Sequence, residues 1–323
     1  MRVPPQDLDA PLCARGLVKR YGDVVAVDGV DLTVAPGDVY GFLGPNGAGK
    51  TTALRILLGL VRPHAGSVAL FGRDPLLHGV QALESVAGFV EAPSFYPYLS
   101  GRKNLELVAA LDGGQAAGRI DDALETVELS DRARDKVGGY SHGMRQRLGI
   151  AGALLRAPRL MLLDEPATGL DPAGMRDMRG LIRNLADSGM TVVLSSHLLV
   201  EVEELCNRVG IIRRGKMVFE GTLTDLRASA AGAWQLRTTD DDVALRVCRS
   251  APGIEEARAT ASGISFRAPE AAVADLSIAL VQAGIGLTAL TPHAATLEDL
   301  FFRLTEDDGR APIPASDAVE EAA

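Results

Sequence analysis

The stretch "GPNGAGKTT", residues 44 to 52, constrains this chain more than any other, because it follows the apolar run "VYGFL" and opens the helix-like "TTALRILLGLV". Glycines at Gly44, Gly47 and Gly49 let successive backbone N–H groups converge, and the start of the following helix adds the positive end of its dipole. A strand, a glycine-rich turn and a helix in that order form a phosphate-binding loop. In such a loop Pro45, Asn46 and Ala48 complete the turn and Lys50 bridges the outer phosphates. The hydroxyl of Thr51 ligates Mg²⁺, and Thr52 continues the first helical turn.

The rest of the chain supplies a frame for that loop. Residues 12 to 43 read as short strands broken by turn residues, a mixed β beginning. From residue 51 onward, strands apolar along their whole length ("RLMLLDEP", "TVVLSSH") alternate with helix-length segments, the pattern of a parallel sheet covered on both faces. Residues 92 to 156 are expected to form an inserted helical subdomain. The small-residue run "RASAAGA" at 227 to 233 reads as a linker. Beyond it, residues 234 to 305 follow the order β, α, β, β, α, β of a small α+β, ferredoxin-like domain. Residues 1 to 11 read as an extension, and the Ala-, Pro- and acid-rich stretch from 306 to 323 as a disordered tail.

Composition narrows the function. A net charge of −9 gives no electrostatic footprint for nucleic acid, so none is expected as a partner. Cys13, Cys206 and Cys248 are far apart with no paired spacing, which fits a reducing cytoplasm rather than a disulfide framework or zinc site. No run of about 18 apolar residues could span a bilayer, so work at a membrane would need a partner there.

Further residues carry chemistry. "RLMLLDEPATGLDP" places Asp164 and Glu165 at the carboxyl end of a buried strand, where ligands of open α/β sheets bind. Asp164 suits Mg²⁺ held through water, and Glu165 suits the polarisation of an attacking water. His197 follows another apolar strand, which would bring an imidazole to the outer-phosphate side. "YSHGMRQR" is a capped helix start in which Ser141 and Gly143 could meet a second phosphate, of little use beside a site that is already complete.

Together these segments, over about residues 12 to 222, resemble the ATP-binding subunits of ABC transporters. "GPNGAGKTT" is similar to the family's Walker A motif, "YSHGMRQR" to its signature, "LMLLDEP" to Walker B, "GLDP" to the D-loop and "SSH" to the switch histidine. The resemblance implies an ATPase of mixed-sheet core, antiparallel β subdomain and helical subdomain. Its expected ligands are ATP and Mg²⁺. It further implies a head-to-tail homodimer or heterodimer, in which Ser141 and Gly143 reach the nucleotide on the other subunit's Lys50 loop and Asp171 senses the opposite site. Tyr21 matches the aromatic that stacks on adenine. A membrane permease is implied as partner, docking near Phe95, Tyr96 and Tyr98, with the subunit peripheral at the cytoplasmic face.

Three positions in two motifs depart from the family. His142 and Met144 replace its usual Gly and Gln in the signature, and Glu91 stands where a Gln normally touches Mg²⁺ or the attacking water. The Glu91 carboxylate can also bind Mg²⁺, with Thr51 and Asp164, but at an effective dielectric of 20 its charge would repel another ~6 Å away by roughly 3 kcal/mol, with Mg²⁺ offsetting much of it. Drug and peptide-antibiotic exporter subunits are similar here, with an acid followed by "PSFY". Export is therefore the leading expectation, and a non-transport ABC protein acting on ribosomes or nucleic acid is the alternative.

Overall fold

The computed structural model describes residues 10–111, 115–228, 232–260, 262–292 and 297–305. The described residues divide into two units, the first reaching to Leu223 and also taking in Leu304 and Thr305, the second spanning Thr224–Arg303.

The first unit opens with β1 (Leu12–Tyr21), β2 (Val24–Val34) and β3 (Val39–Leu43), followed by α1 (Lys50–Leu57), β4 (Ala65–Leu70), α2 (Pro75–His78) and β5 (Val86–Phe89). A helical run comes next, with α3 (Gly101–Leu111), α4 (Ile120–Thr126) and α5 (His142–Leu154). Alternation then resumes through β6 (Leu160–Asp164), α6 (Pro172–Asp187), β7 (Thr191–Ser196), α7 (Leu199–Leu205), β8 (Arg208–Arg213) and β9 (Lys216–Thr222). The second unit contains most of α8 (Leu223–Ala228), then β10 (Ala233–Thr238), α9 (Asp241–Ser250), β11 (Glu255–Thr260), β12 (Gly263–Arg267), α10 (Glu270–Gln282), β13 (Leu287–Pro292) and most of α11 (Leu297–Thr305).

Six strands form the central sheet in the order β5-β6-β7-β3-β8-β9, parallel except for β9. Its middle strands β3, β6 and β7 are buried at every residue, which is why they read as unbroken apolar runs. A separate antiparallel sheet, β2-β1-β4, sends Leu12, Leu17, Leu32 and Leu70 into one core with Phe42 of β3 and Leu54 and Leu57 of α1. The phosphate loop is thereby held between two packed sheets. Ser100 and Lys136 form an isolated bridge within the helical segment.

Two local expectations need correction. The helix read across residues 51 to 61 ends at Leu57, because Gly59 takes φ +70° and its N–H bonds back to the Ile56 carbonyl at 2.9 Å, a left-handed glycine stop. Of the residues read as a linker, Arg227 and Ala228 are helical and Ala233 opens β10, while 229–231 lie outside the described residues. The stretch read as a tail, 306–323, and most of the N-terminal extension also lie outside them.

In the second unit the sheet order is β11-β12-β10-β13, antiparallel throughout, with α9 and α10 as the two crossovers. That is the split βαβ, ferredoxin-like arrangement expected from the element order. Leu236, Ile264, Phe266, Cys248, Leu276 and Leu280 form its core.

Candidate active site

The carboxyl ends of β3, β6 and β7 lie side by side, so three distant stretches of sequence meet at one edge of the central sheet. From β3 comes the phosphate loop, whose tip residues Pro45, Asn46 and Gly47 are exposed while Ala48 and Lys50 are buried. Gly49 adopts φ +110°, and a Cβ there would stand 2.1 Å from the Ala26 carbonyl oxygen. No side chain larger than hydrogen fits. Gly49 also leaves the first N–H groups of α1 without a side-chain cap, the arrangement in which a helix start can receive an anion. Lys50 Nζ donates to the carbonyls of Gly44 at 2.8 Å and Pro45 at 3.4 Å, and lies 3.4 Å from Glu165 Oε1. Thr51 and Thr52 are half-buried in the first turn of α1.

From β6 and β7 come the carboxylates and the imidazole. The strand register pairs Asp164 with Ser195, and the Ser195 hydroxyl donates to Asp164 Oδ1 at 2.5 Å. The same hydroxyl accepts the Glu165 N–H at 2.9 Å. Ser195, fully buried, thus anchors both acids. Glu165 sits at φ +47°, a left-handed backbone rare outside glycine. Its Oε2 accepts from the Thr168 hydroxyl at 2.9 Å and lies 3.1 Å from His197 Nδ1. Partial burial pushes the Glu165 carboxyl upward, but the Thr168 hydrogen bond and the charges of Lys50 and His197 outweigh it and hold it below its ordinary value. It is therefore ionised at neutral pH, a weak base but a fixed acceptor. Behind the histidine, the buried Glu201 accepts from the Ser196 hydroxyl at 2.6 Å, and burial raises its own carboxyl.

The remaining expected residues lie on other elements. Ser141 caps α5, its hydroxyl accepting from the Met144 N–H at 3.2 Å, with Gly143 in the first turn. Asp171 caps α6 through the Gly174 N–H at 2.8 Å. Tyr21 is half exposed at the end of β1, with Lys19 Nζ 5.3 Å from its ring centroid. Glu91, just past β5, forms an ion pair with Arg55 of α1. In the aromatic stretch, the buried Asn104 side chain binds both backbone groups of Tyr96, at 2.8 and 3.1 Å. Asn104 thus fixes the turn through its backbone and leaves Tyr96 and Tyr98 54% and 64% exposed, with Phe95 half-buried. Sequence reasoning missed Ser195, Thr168, Arg55 and Asn104. Only Ser195 carried a signal, as the residue of "SSH" aligned with the acid on the neighbouring strand.

A largely parallel sheet with a phosphate loop, a lysine, two carboxylates and an imidazole at the carboxyl ends of its middle strands defines a P-loop nucleoside triphosphatase. The family model described as "ABC transporter" matches residues 27–168. The chain is 38% identical over 290 residues to the bacitracin transport ATP-binding protein BcrA of Bacillus licheniformis, covering 89% of this chain and 95% of the relative. It is 36% identical over 314 residues to the daunorubicin resistance ATP-binding protein DrrA3 of Streptomyces coeruleorubidus, covering 94% and 98%. A solved ATP-binding subunit of an ABC transporter matches with TM-score 0.61 at 28% identity, over 68% of this chain and 92% of that one. The chain belongs to the ABC transporter ATP-binding proteins: it binds ATP and hydrolyses it to power a transporter.

Proposed function

We propose that this subunit drives export of a drug, antibiotic or lipid-like compound through a separate membrane permease. The bacitracin transport and daunorubicin resistance relatives support that class of cargo. Among the described residues no helix is long and apolar enough to cross a membrane, which fits a peripheral subunit held at the cytoplasmic face by a permease. The exposed Tyr96 and Tyr98, on a turn braced from below by Asn104, suit that docking, since aromatic side chains concentrate at interface cores.

One observation carries the catalytic assignment: Lys50, Glu165 and His197 are in mutual contact through the two oxygens of one carboxylate. Lys50 would leave the Gly44 and Pro45 carbonyls for the outer phosphates of ATP, and Glu165 would then orient the attacking water. His197 spends Nδ1 on Glu165, so Nε2 is the atom presented to the outer phosphate. Thr51 and Asp164 offer hard oxygen donors that fit Mg²⁺. No cluster of three or more metal-ligating side chains occurs among the described residues, as suits an ion that takes its other ligands from phosphate and water. When bound, Mg²⁺ neutralises charge developing on the phosphates.

Two subunits, like or unlike, would close head to tail so that Ser141 and Gly143 of each complete the other's site. Tyr21 would stack on adenine, Asp171 would face the opposite site, and Glu91 would occupy the position of the family's Gln. The test is Glu165→Gln, measured for ATP binding and turnover in the full chain. Binding should persist while kcat falls roughly 10²- to 10⁴-fold, the range of a general base. Turnover within a few fold of wild type would refute the assignment.

A further inference from the structure

We propose that His142 is a positioning residue for Glu165, acting through Thr168 to fix the turn that carries the carboxylate. His142 is, with Met144, one of two residues that set this chain's signature stretch apart, and the glycine usual at its place has no side chain to donate anything. Its ring Nε2 lies 3.0 Å from the carbonyl oxygen of Thr168. A carbonyl only accepts, so this nitrogen carries the proton.

Thr168 is in direct contact with the chemistry. Its hydroxyl donates to Glu165 Oε2 at 2.9 Å, and its N–H donates to the Glu165 carbonyl at 3.1 Å. His142 therefore grips one side of a short turn whose other side aims the carboxylate. That turn needs support, because Glu165 at φ +47° holds a conformation that persists in non-glycine residues only when the surroundings enforce it. The ring also lies over Gly169 at φ +77°, where a Cβ would stand 3.4 Å from Nε2. The signature loop and the turn after β6 thus meet within a single subunit.

The consequence rests on the head-to-tail reading above. If Ser141 and Gly143 touch the neighbour's nucleotide, the residue between them touches the turn of its own subunit's base. Occupancy at one site then reaches the carboxylate serving the other through His142 and Thr168.

The test measures ATP turnover of the full chain beside binding of a fluorescent ATP analogue. His142→Ala is expected to lower kcat roughly 10- to 100-fold, the scale of loss from misplacing a catalytic group by about 1 Å. KM and analogue binding should stay within about twofold of wild type. His142→Gln can place an amide donor near the position of Nε2 and should recover kcat to within a few fold, whereas the shorter His142→Asn should not. Adding His142→Ala to Thr168→Val should cost little beyond Thr168→Val alone. Melting curves check folding, and the Gln and Asn variants still decide the matter if His142→Ala is unstable. Wild-type turnover in His142→Ala, or His142→Gln as slow as His142→Asn, overturns the proposal. Hydrolysis by Lys50→Ala equal to that of wild type would instead overturn the site assignment itself, so the two failures are separable.

Discussion

Replacing Ser195 by alanine removes one oxygen atom from the centre of the site, and the structure says what that atom does. Ser195 is fully buried, donates to Asp164 at 2.5 Å and accepts the Glu165 N–H at 2.9 Å. Hydrogen bonds to charged groups contribute about 1.5 to 3 kcal/mol, and a buried donor left without a partner costs about 1 to 3 kcal/mol. The two losses share one atom and overlap, so a net destabilisation of about 3 kcal/mol is expected. For a unit of this size roughly 2 to 4 °C of Tm is lost per kcal/mol, which gives a fall of about 6 to 12 °C in thermal unfolding. Turnover should fall at least about tenfold as well, because Asp164 and the Glu165 backbone lose the same anchor. A Ser195→Ala chain melting within about 2 °C of wild type, with unchanged kcat, would refute the claim that one hydroxyl organises both acids.

Other consequences can be measured beside it. Since Glu91 is paired with Arg55, Arg55→Ala should release the acid's charge and raise KM for MgATP by up to about fivefold, the ceiling for an exposed ion pair. Adding Glu91→Gln should restore it, and a double variant no better than Arg55→Ala would dismiss the pairing as irrelevant. The Glu165 carboxyl is held below its ordinary value of 4.5, so its ionised form contributes stability that is complete above 4.5 and is lost as pH falls through the depressed folded value. The Tm difference between wild type and Glu165→Gln should accordingly stay flat from about pH 8 to 5 and change only below 4.5; a change centred near pH 6 to 7 would implicate another group. Tyr96→Ala with Tyr98→Ala should abolish assembly with the permease while leaving ATP binding and the melting curve intact, because the turn is fixed by Asn104 rather than by the rings. A large loss of stability would make the tyrosines part of the scaffold.

Much of this molecule was legible from one dimension. The apolar runs leading to Asp164 and Ser196 marked parallel strands, "GPNGAGK" marked the turn between an apolar strand and α1, and the βαββαβ order marked the second unit. Such signals are local: hydrophobic period, glycine placement and helix capping depend on residues within a few positions of one another. The end of α1 was local too, yet the apolar run beyond Leu57 masked the glycine stop at Gly59.

What the sequence alone determined was therefore the list of chemical groups and the elements that carry them: a lysine at a helix start, two acids at one strand end and a histidine at another. Only the tertiary structure decided who touches whom. Ser195 meets Asp164 because β6 and β7 are neighbours in a particular register, Glu91 meets Arg55 across the gap between β5 and α1, and His142 meets Thr168 where α5 lies against the turn after β6. Each pair joins residues 26 to 36 positions apart. No local preference can encode such a contact, because it follows from strand order and packing fixed by the whole core at once.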